Sequence, residues 1–130
     1  MPRRFVIDPA EWEDIASDMG LAIHYWCRSL TVAEHEALAA VNLPDMYTIR
    51  AMAEDPVKDG ELLLIMTKRD YEWALGQIEF AVPGTAVSAY VASAFADRDK
   101  RTNFIESSYL DGEVADVVAQ LHLFGEVPFG

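Results

Sequence analysis

Met46-Tyr47-Thr48-Ile49-Arg50-Ala51-Met52-Ala53-Glu54, then Asp55-Pro56-Val57-Lys58-Asp59-Gly60, then Glu61-Leu62-Leu63-Leu64-Ile65-Met66, lead straight into Thr67-Lys68-Arg69-Asp70-Tyr71-Glu72-Trp73-Ala74-Leu75. The first and third segments have the composition of strands, Glu61 to Met66 being apolar on both faces, and the polar, breaker-rich segment between them closes a β-hairpin. Thr67 stands three residues before Asp70, where a helix N-cap stands, and Tyr71, Leu75, Ile78 and Val82 keep helical spacing beyond it. Trp73 and Phe80 point away from that face. A helix with rings on both sides is either central in the fold or part of a subunit interface, because each ring left in water forgoes ~1.5–3 kcal/mol of burial.

Working outward, the remaining elements are helical. Asp8-Pro9-Ala10-Glu11 supplies a cap, a proline at the first helical position and a capping-box carboxylate. The stripe Trp12, Ile15, Ala16 and Met19 then predicts a helix from Pro9 that ends at Gly20, with Glu11, Asp14 and Asp18 on its wet side. Leu21 to Leu30, with Ile23, Tyr25, Trp26 and Cys27, reads as a strand, helix continuation being the alternative. Thr31-Val32-Ala33-Glu34 opens an alanine-rich helix ending near Asn42. After Pro83-Gly84, Thr85 to Ala96 forms a helix with Val87, Tyr90, Val91 and Phe95 on its large side. Asp111 caps the last helix, with the stripe Val114, Val117, Val118, Leu121 and Phe124, and Gly125 ends it. The expectation is one compact domain over residues 1–130, α+β, with about five helices packed on a small antiparallel sheet containing a β-hairpin.

Composition narrows the class. At 130 residues and 52% apolar content the chain can enclose a core without disulfides or a structural metal. Its longest apolar run, Leu62 to Met66, is far too short to span a bilayer, and Met1-Pro2-Arg3-Arg4-Phe5 passes at once to Asp8 and Glu11 with no apolar signal region. A cytoplasmic protein is the expectation. The single cysteine, Cys27, excludes an internal disulfide and any zinc site with two thiolates. A net charge of −12, from 22 acidic and 10 basic residues, opposes attachment to nucleic acid or anionic lipid. From Thr102 to Gly130 there are five carboxylates (Glu106, Asp111, Glu113, Asp116, Glu126) and no Lys or Arg. That end of the chain suits a basic partner, or serves solubility alone.

Chemistry-bearing motifs are scarce. His24 and Cys27 would lie on opposite faces of a strand and be neighbours only on a helix. His35 between Glu34 and Glu36 has no second ligand at metal spacing, and Val57 and Met66 stand where a calcium loop starting at Asp55 needs oxygen ligands. The glycines are scattered singly, without a phosphate-cradling cluster. No catalytic, cofactor or metal site is assigned. Two aromatic groups remain, Tyr25-Trp26 and the pair Phe124 and Phe129 with Tyr109 upstream. Aromatics after Gly125 predict a docked tail, against the chain's own core or a second subunit.

The tail Asp111-Gly112-Glu113-Val114-Ala115-Asp116-Val117-Val118-Ala119-Gln120-Leu121-His122-Leu123-Phe124-Gly125-Glu126-Val127-Pro128-Phe129-Gly130 resembles the C-terminal signature of a family of small proteins carried by actinobacterial phages and plasmids, and Tyr25-Trp26 resembles that family's second mark. The family usually has tyrosine where Phe129 stands and a small residue where His24 stands. The resemblance implies an accessory protein of a mobile element, and carries no activity with it. By analogy, such a protein binds and blocks a host component, including the nuclease complexes of bacterial immunity.

The expected function is therefore that of a non-catalytic acidic binding protein with a basic macromolecular partner. Its candidate residues are Glu113, Asp116 and Gln120 on an exposed face of the last helix, with Tyr25, Trp26 and Phe129 as an aromatic alternative. Homodimerisation is expected from the second aromatic face of the Thr67-capped helix and from the apolar tail. Two other classes stand beside this reading: a small-molecule sequestering protein with a pocket around Tyr25 and Trp26, and a hydrolase or transferase using His24 and Cys27.

Overall fold

Why the chain's first residues are structured at all is answered by its middle and its far end. A computed structural model describes residues 4–31, 33 and 49–129. Phe5 and Ile7 are fully buried, and Val6 between them forms a parallel bridge with Phe104, its N–H donating to Asn103 O and its carbonyl accepting from Ile105 N, both at 3.0 Å. Phe5 meets Phe95 edge to face at 5.5 Å. Asp8 then caps α1, Pro9–Ala22, by accepting from Ala10 N at 2.9 Å. Trp12, Ile15 and Met19 turn inward as the stripe predicts, while Asp14 and Asp18 face water.

Gly20 does not end α1. Ile15, Met19 and Ile23 continue one i, i+4 row into the core, and that burial outweighs the roughly 1 kcal/mol disfavouring a helical glycine. The strand expected over Leu21 to Leu30 shrinks accordingly. Leu21 and Ala22 are the last helical residues, and Trp26 N and Cys27 N both fold back onto Ile23 O. Only Cys27–Ser29 remains as β1. The helix expected from Thr31 to Asn42, with His35, lies outside the described residues except at Thr31 and Ala33, as do Met46 to Thr48.

β2, Ile49–Glu54, and β3, Glu61–Met66, form the hairpin, paired from Ile49 with Met66 to Glu54 with Glu61. Asp55 fixes the turn by accepting from Val57 N and Lys58 N, and Gly60 takes φ 128°, which a side chain would oppose. β1 pairs antiparallel with the other side of β2, giving the order β1-β2-β3. Ala51, Ala53, Leu64 and Met66 bury one face of this sheet against the helices.

Thr67 and Asp70 form a reciprocal capping box at the start of α2, Lys68–Leu75. The expected long helix breaks at Gly76-Gln77, where Gln77 N bonds back to Ala74 O in a tightened turn, and restarts as α3, Ile78–Ala81. The inward face survives the break, since Tyr71, Leu75 and Ile78 are all fully buried. Trp73 and Phe80 lie on the other side, 38% and 58% exposed. α4, Ala86–Asp97, is capped reciprocally by Thr85 and Ser88 and buries Val91 and Ala94 rather than Tyr90.

A short 3-10 turn, Ser107–Tyr109, precedes α5, Gly112–Phe124, which Asp111 caps and Gly125 closes at φ 73°. α5 is the axis of the fold, packing on α1, α2 and β3. It is buried over a wider arc than the predicted stripe. Val114, Ala115, Val118, Ala119, Gln120 and Leu121 are inside, while Val117 and Phe124 are half-buried. The five helices, α1 to α5, and the three-stranded antiparallel sheet make the described residues an α+β fold. Among the described residues no helix is long and apolar enough to cross a membrane.

Candidate functional site

The residues singled out in sequence separate into two places. Five of the six converge at the C-terminal end of α5. Trp26 is delivered by the turn that leaves α1, and its Nε1 donates to Asp116 Oδ1 at 2.7 Å, while the Tyr25 hydroxyl donates to Asp116 Oδ2 at 2.5 Å. Gln120, one helical turn beyond, donates from Nε2 to Asp116 Oδ1 at 3.0 Å. Its amide also grips the tail, since Nε2 donates to Phe129 O at 2.9 Å and Oε1 accepts from Phe129 N at 2.8 Å. The Phe129 ring lies parallel to Trp26 at 5.6 Å and 7°, and Phe124 tilts against both rings.

This geometry corrects the expected exposed face. Gln120 is fully buried and Asp116 is half-buried, because the turn at Trp26 and the returning tail cover the side of α5 that periodicity alone assigns to water. The tail is docked on its own chain. Tyr25 remains 54% exposed, yet desolvation of its hydroxyl, with the hydrogen bond and charge of Asp116 adding to it, pushes its pKa up to about 12. The space beside Trp26 is filled by Phe124 and Phe129, which removes the basis for an open aromatic pocket around Tyr25 and Trp26.

Glu113 belongs elsewhere. It lies at a cleft of about 180 Å³ between the first turns of α4 and α5, lined also by Ala86, Val87, Tyr90, Asp111 and Val114. Tyr90, 40% exposed, donates its hydroxyl to Ser108 O at 3.2 Å and packs on Tyr109, whose hydroxyl is in turn held by Asp97. Asp111 uses Oδ1 to cap Val114 N at 2.9 Å. Two acidic side chains and a tyrosine ring thus border one small cleft with no cationic side chain in its lining. Sequence reasoning had given Tyr90 to packing and Asp111 to capping. Their meeting depends on how α4 and α5 cross, which no local pattern encodes.

The His24 and Cys27 pair does not form a nucleophilic site. His24 is exposed, its Nδ1 meeting Leu21 O at 2.8 Å, whereas Cys27 is buried and its thiol is pushed up to about 11 by burial, with Arg28 opposing weakly. A thiol so held is protonated at neutral pH. Among the described residues, no three His, Cys, Asp or Glu side chains come together as a metal ion would need.

One ionised site escaped the sequence reading. Glu72 is fully buried on α2, accepting from Lys68 Nζ at 2.8 Å, Arg4 Nη2 at 2.9 Å and Ile7 N at 2.9 Å. Burial alone raises its pKa, but the bonds from Lys68, Ile7 N–H and Arg4 together overcome it and hold the carboxyl below its ordinary value. The available signal was the i, i+4 spacing of Lys68 and Glu72 on the row beside Tyr71 and Leu75. No family model matches the chain, and neither a curated protein nor a solved structure is significantly similar to it.

Proposed function

We propose that the chain is a non-catalytic binding protein whose cleft between α4 and α5 receives a basic side chain of a macromolecular partner. One observation carries this reading: Asp111, Glu113 and the exposed Tyr90 line one cleft of about 180 Å³. A guanidinium or ammonium group placed there meets a ring face and two carboxylates together, and ring and charge contacts each contribute about 0.5–1 kcal/mol at exposed sites. The surrounding run from Thr102 to Gly130, which has no Lys or Arg, lets the field of the C-terminal region steer a basic surface toward it.

Of the acidic face expected on α5, Glu113 alone is retained, since Asp116 and Gln120 turn inward. The likeness of the tail and of Tyr25-Trp26 to mobile-element proteins supports a role in binding and blocking a host component. Capture of proteins from bacterial lysate tests the reading, comparing the wild-type chain with Glu113→Gln combined with Tyr90→Ala. Asp111 is left intact to preserve the cap. The expected result is a partner whose capture falls in the double variant and at 0.5 M salt, where the Debye length shrinks from about 8 Å to about 4 Å. Equal capture by both folded chains in both buffers sinks the proposal.

A further inference from the structure

The half of the aromatic cluster that receives the tail is held by contacts that do not involve the tail. Asp116 binds both Trp26 Nε1 and Gln120 Nε2, and Phe124 packs on Trp26, none of which requires residues beyond Gly125. Onto this platform the tail docks as a bound peptide would. Gln120 reads the main chain of Phe129 through both its N–H and its carbonyl, a recognition that any extended segment can satisfy. Selectivity resides in the ring, since Trp26 stacks the Phe129 side chain face to face and Phe124 closes on its edge. Gly125, in the left-handed region at φ 73° with nothing within 4 Å of where a Cβ would stand, is the point about which the tail departs from α5.

We propose that Trp26, Phe124 and Gln120 form a peptide-binding groove that the chain's own tail fills in cis. Its ligand class is an extended peptide carrying an aromatic side chain, which enters as residues 126–129 swing out about Gly125. The groove shares no residue with the cleft between α4 and α5, so either site stands if the other fails. Its chemistry is set by the occupant it already holds: the main-chain N–H and C=O of one residue for Gln120 and one ring for Trp26. A tethered segment acts at an effective concentration of about millimolar, so a trans peptide of equal intrinsic affinity is outcompeted until the cis contact is weakened.

The full chain bearing Phe129→Ala, titrated with a synthetic peptide of the sequence of residues 125–130, tests this by following the Trp26 Nε1–H resonance. The expected result is saturable binding at least about tenfold tighter than to the wild-type chain, as removal of a millimolar competitor gives for an intrinsic dissociation constant of about 0.1 mM or below. It must be abolished when the peptide's phenylalanine is alanine and weakened by Gln120→Glu, which cannot donate to the peptide carbonyl. A folded Phe129→Ala chain whose Trp26 signal ignores the peptide overturns the proposal. Should Phe129→Ala fail to fold, hydrogen exchange on the wild-type chain decides. The groove requires the Phe129 amide to exchange through local opening, well ahead of the amides of α5, and exchange only with global unfolding makes the tail plain core. A wild-type mass that doubles with concentration assigns the trans occupant to a second copy and overturns its assignment to a separate peptide.

Discussion

The Tyr25 hydroxyl and the Asp116 carboxyl, 91 positions apart, meet at 2.5 Å, and the same carboxyl group holds Trp26 and Gln120. Asp116 is therefore the knot of the cluster and Tyr25 its exposed strand. Asp116→Ala strips the acceptor from two donors on buried residues, at an expected cost of about 2–4 kcal/mol, whereas Tyr25→Phe costs about 1 kcal/mol or less. Urea unfolding of the two variants separates them. Equal losses refute this division of roles.

Glu72 makes a prediction about acid. Its carboxyl is held below the ordinary value of 4.5, so its contribution to stability is complete above that pH and disappears as pH falls through the lower folded value. Thermal unfolding between pH 7 and pH 3 should show a loss below about pH 4.5 that is shallower in Glu72→Gln. At neutral pH the variant should be less stable by about 1.5–3 kcal/mol, the range for hydrogen bonds to charged groups. Parallel pH profiles for the two chains would remove Glu72 from the acid response.

One substitution at two glycines should give opposite signs. Gly20 lies inside α1 with nothing within 4 Å of an added Cβ, so Gly20→Ala is expected to stabilise by about 0.5–1 kcal/mol. Gly125 has equal room but φ 73°, so Gly125→Ala is expected to destabilise by about 1–2 kcal/mol through backbone conformation alone. Melting temperatures of the pair read this directly. A gain at Gly125 would mean that the left-handed closure of α5 is not populated in solution.

Cys27 supplies a test of nucleophilic chemistry at that position. Buried, with its thiol at about 11, it should resist iodoacetamide at pH 7.5 in the folded chain and react once urea unfolds it. Rapid labelling without denaturant would restore the case for a reactive pair with His24.

What the sequence conveyed and what it concealed follow from the range of the interactions involved. Thr67 with Asp70, Asp111 with Val114 and the closure at Gly125 were all legible, because a cap is decided by residues three or four apart. Gly20 misled because its local preference is outweighed by packing of Met19 and Ile23, and packing has no local signature. Gln120 misled for a related reason. An amide is read as water-facing, yet here its partner is the main chain of Phe129, nine residues on around a reversal of direction. Glu72 was legible only through its i, i+4 spacing from Lys68, because Ile7 and Arg4 reach it from 65 and 68 positions away. Tyr25, Trp26, Gln120 and Phe129 stand out as residues in the sequence, but their joining through Asp116 and Gln120 belongs to tertiary structure.

The parallel bridge between Val6 and Phe104 has a consequence for how the protein is made. A ribosome releases Phe5, Val6 and Ile7 early, but Asn103 and Ile105, which satisfy the Val6 main chain, follow nearly a hundred residues later. At translation speeds of about 5–20 residues per second, that interval lasts roughly 5–20 seconds. Trp26 waits about as long, since Asp116 and Phe129 follow it by a similar stretch of chain. Throughout that interval the nascent chain carries Phe5, Ile7 and Trp26 without the residues that cover them, and demand for a chaperone should be set by elongation rate more than by the stability of the finished fold.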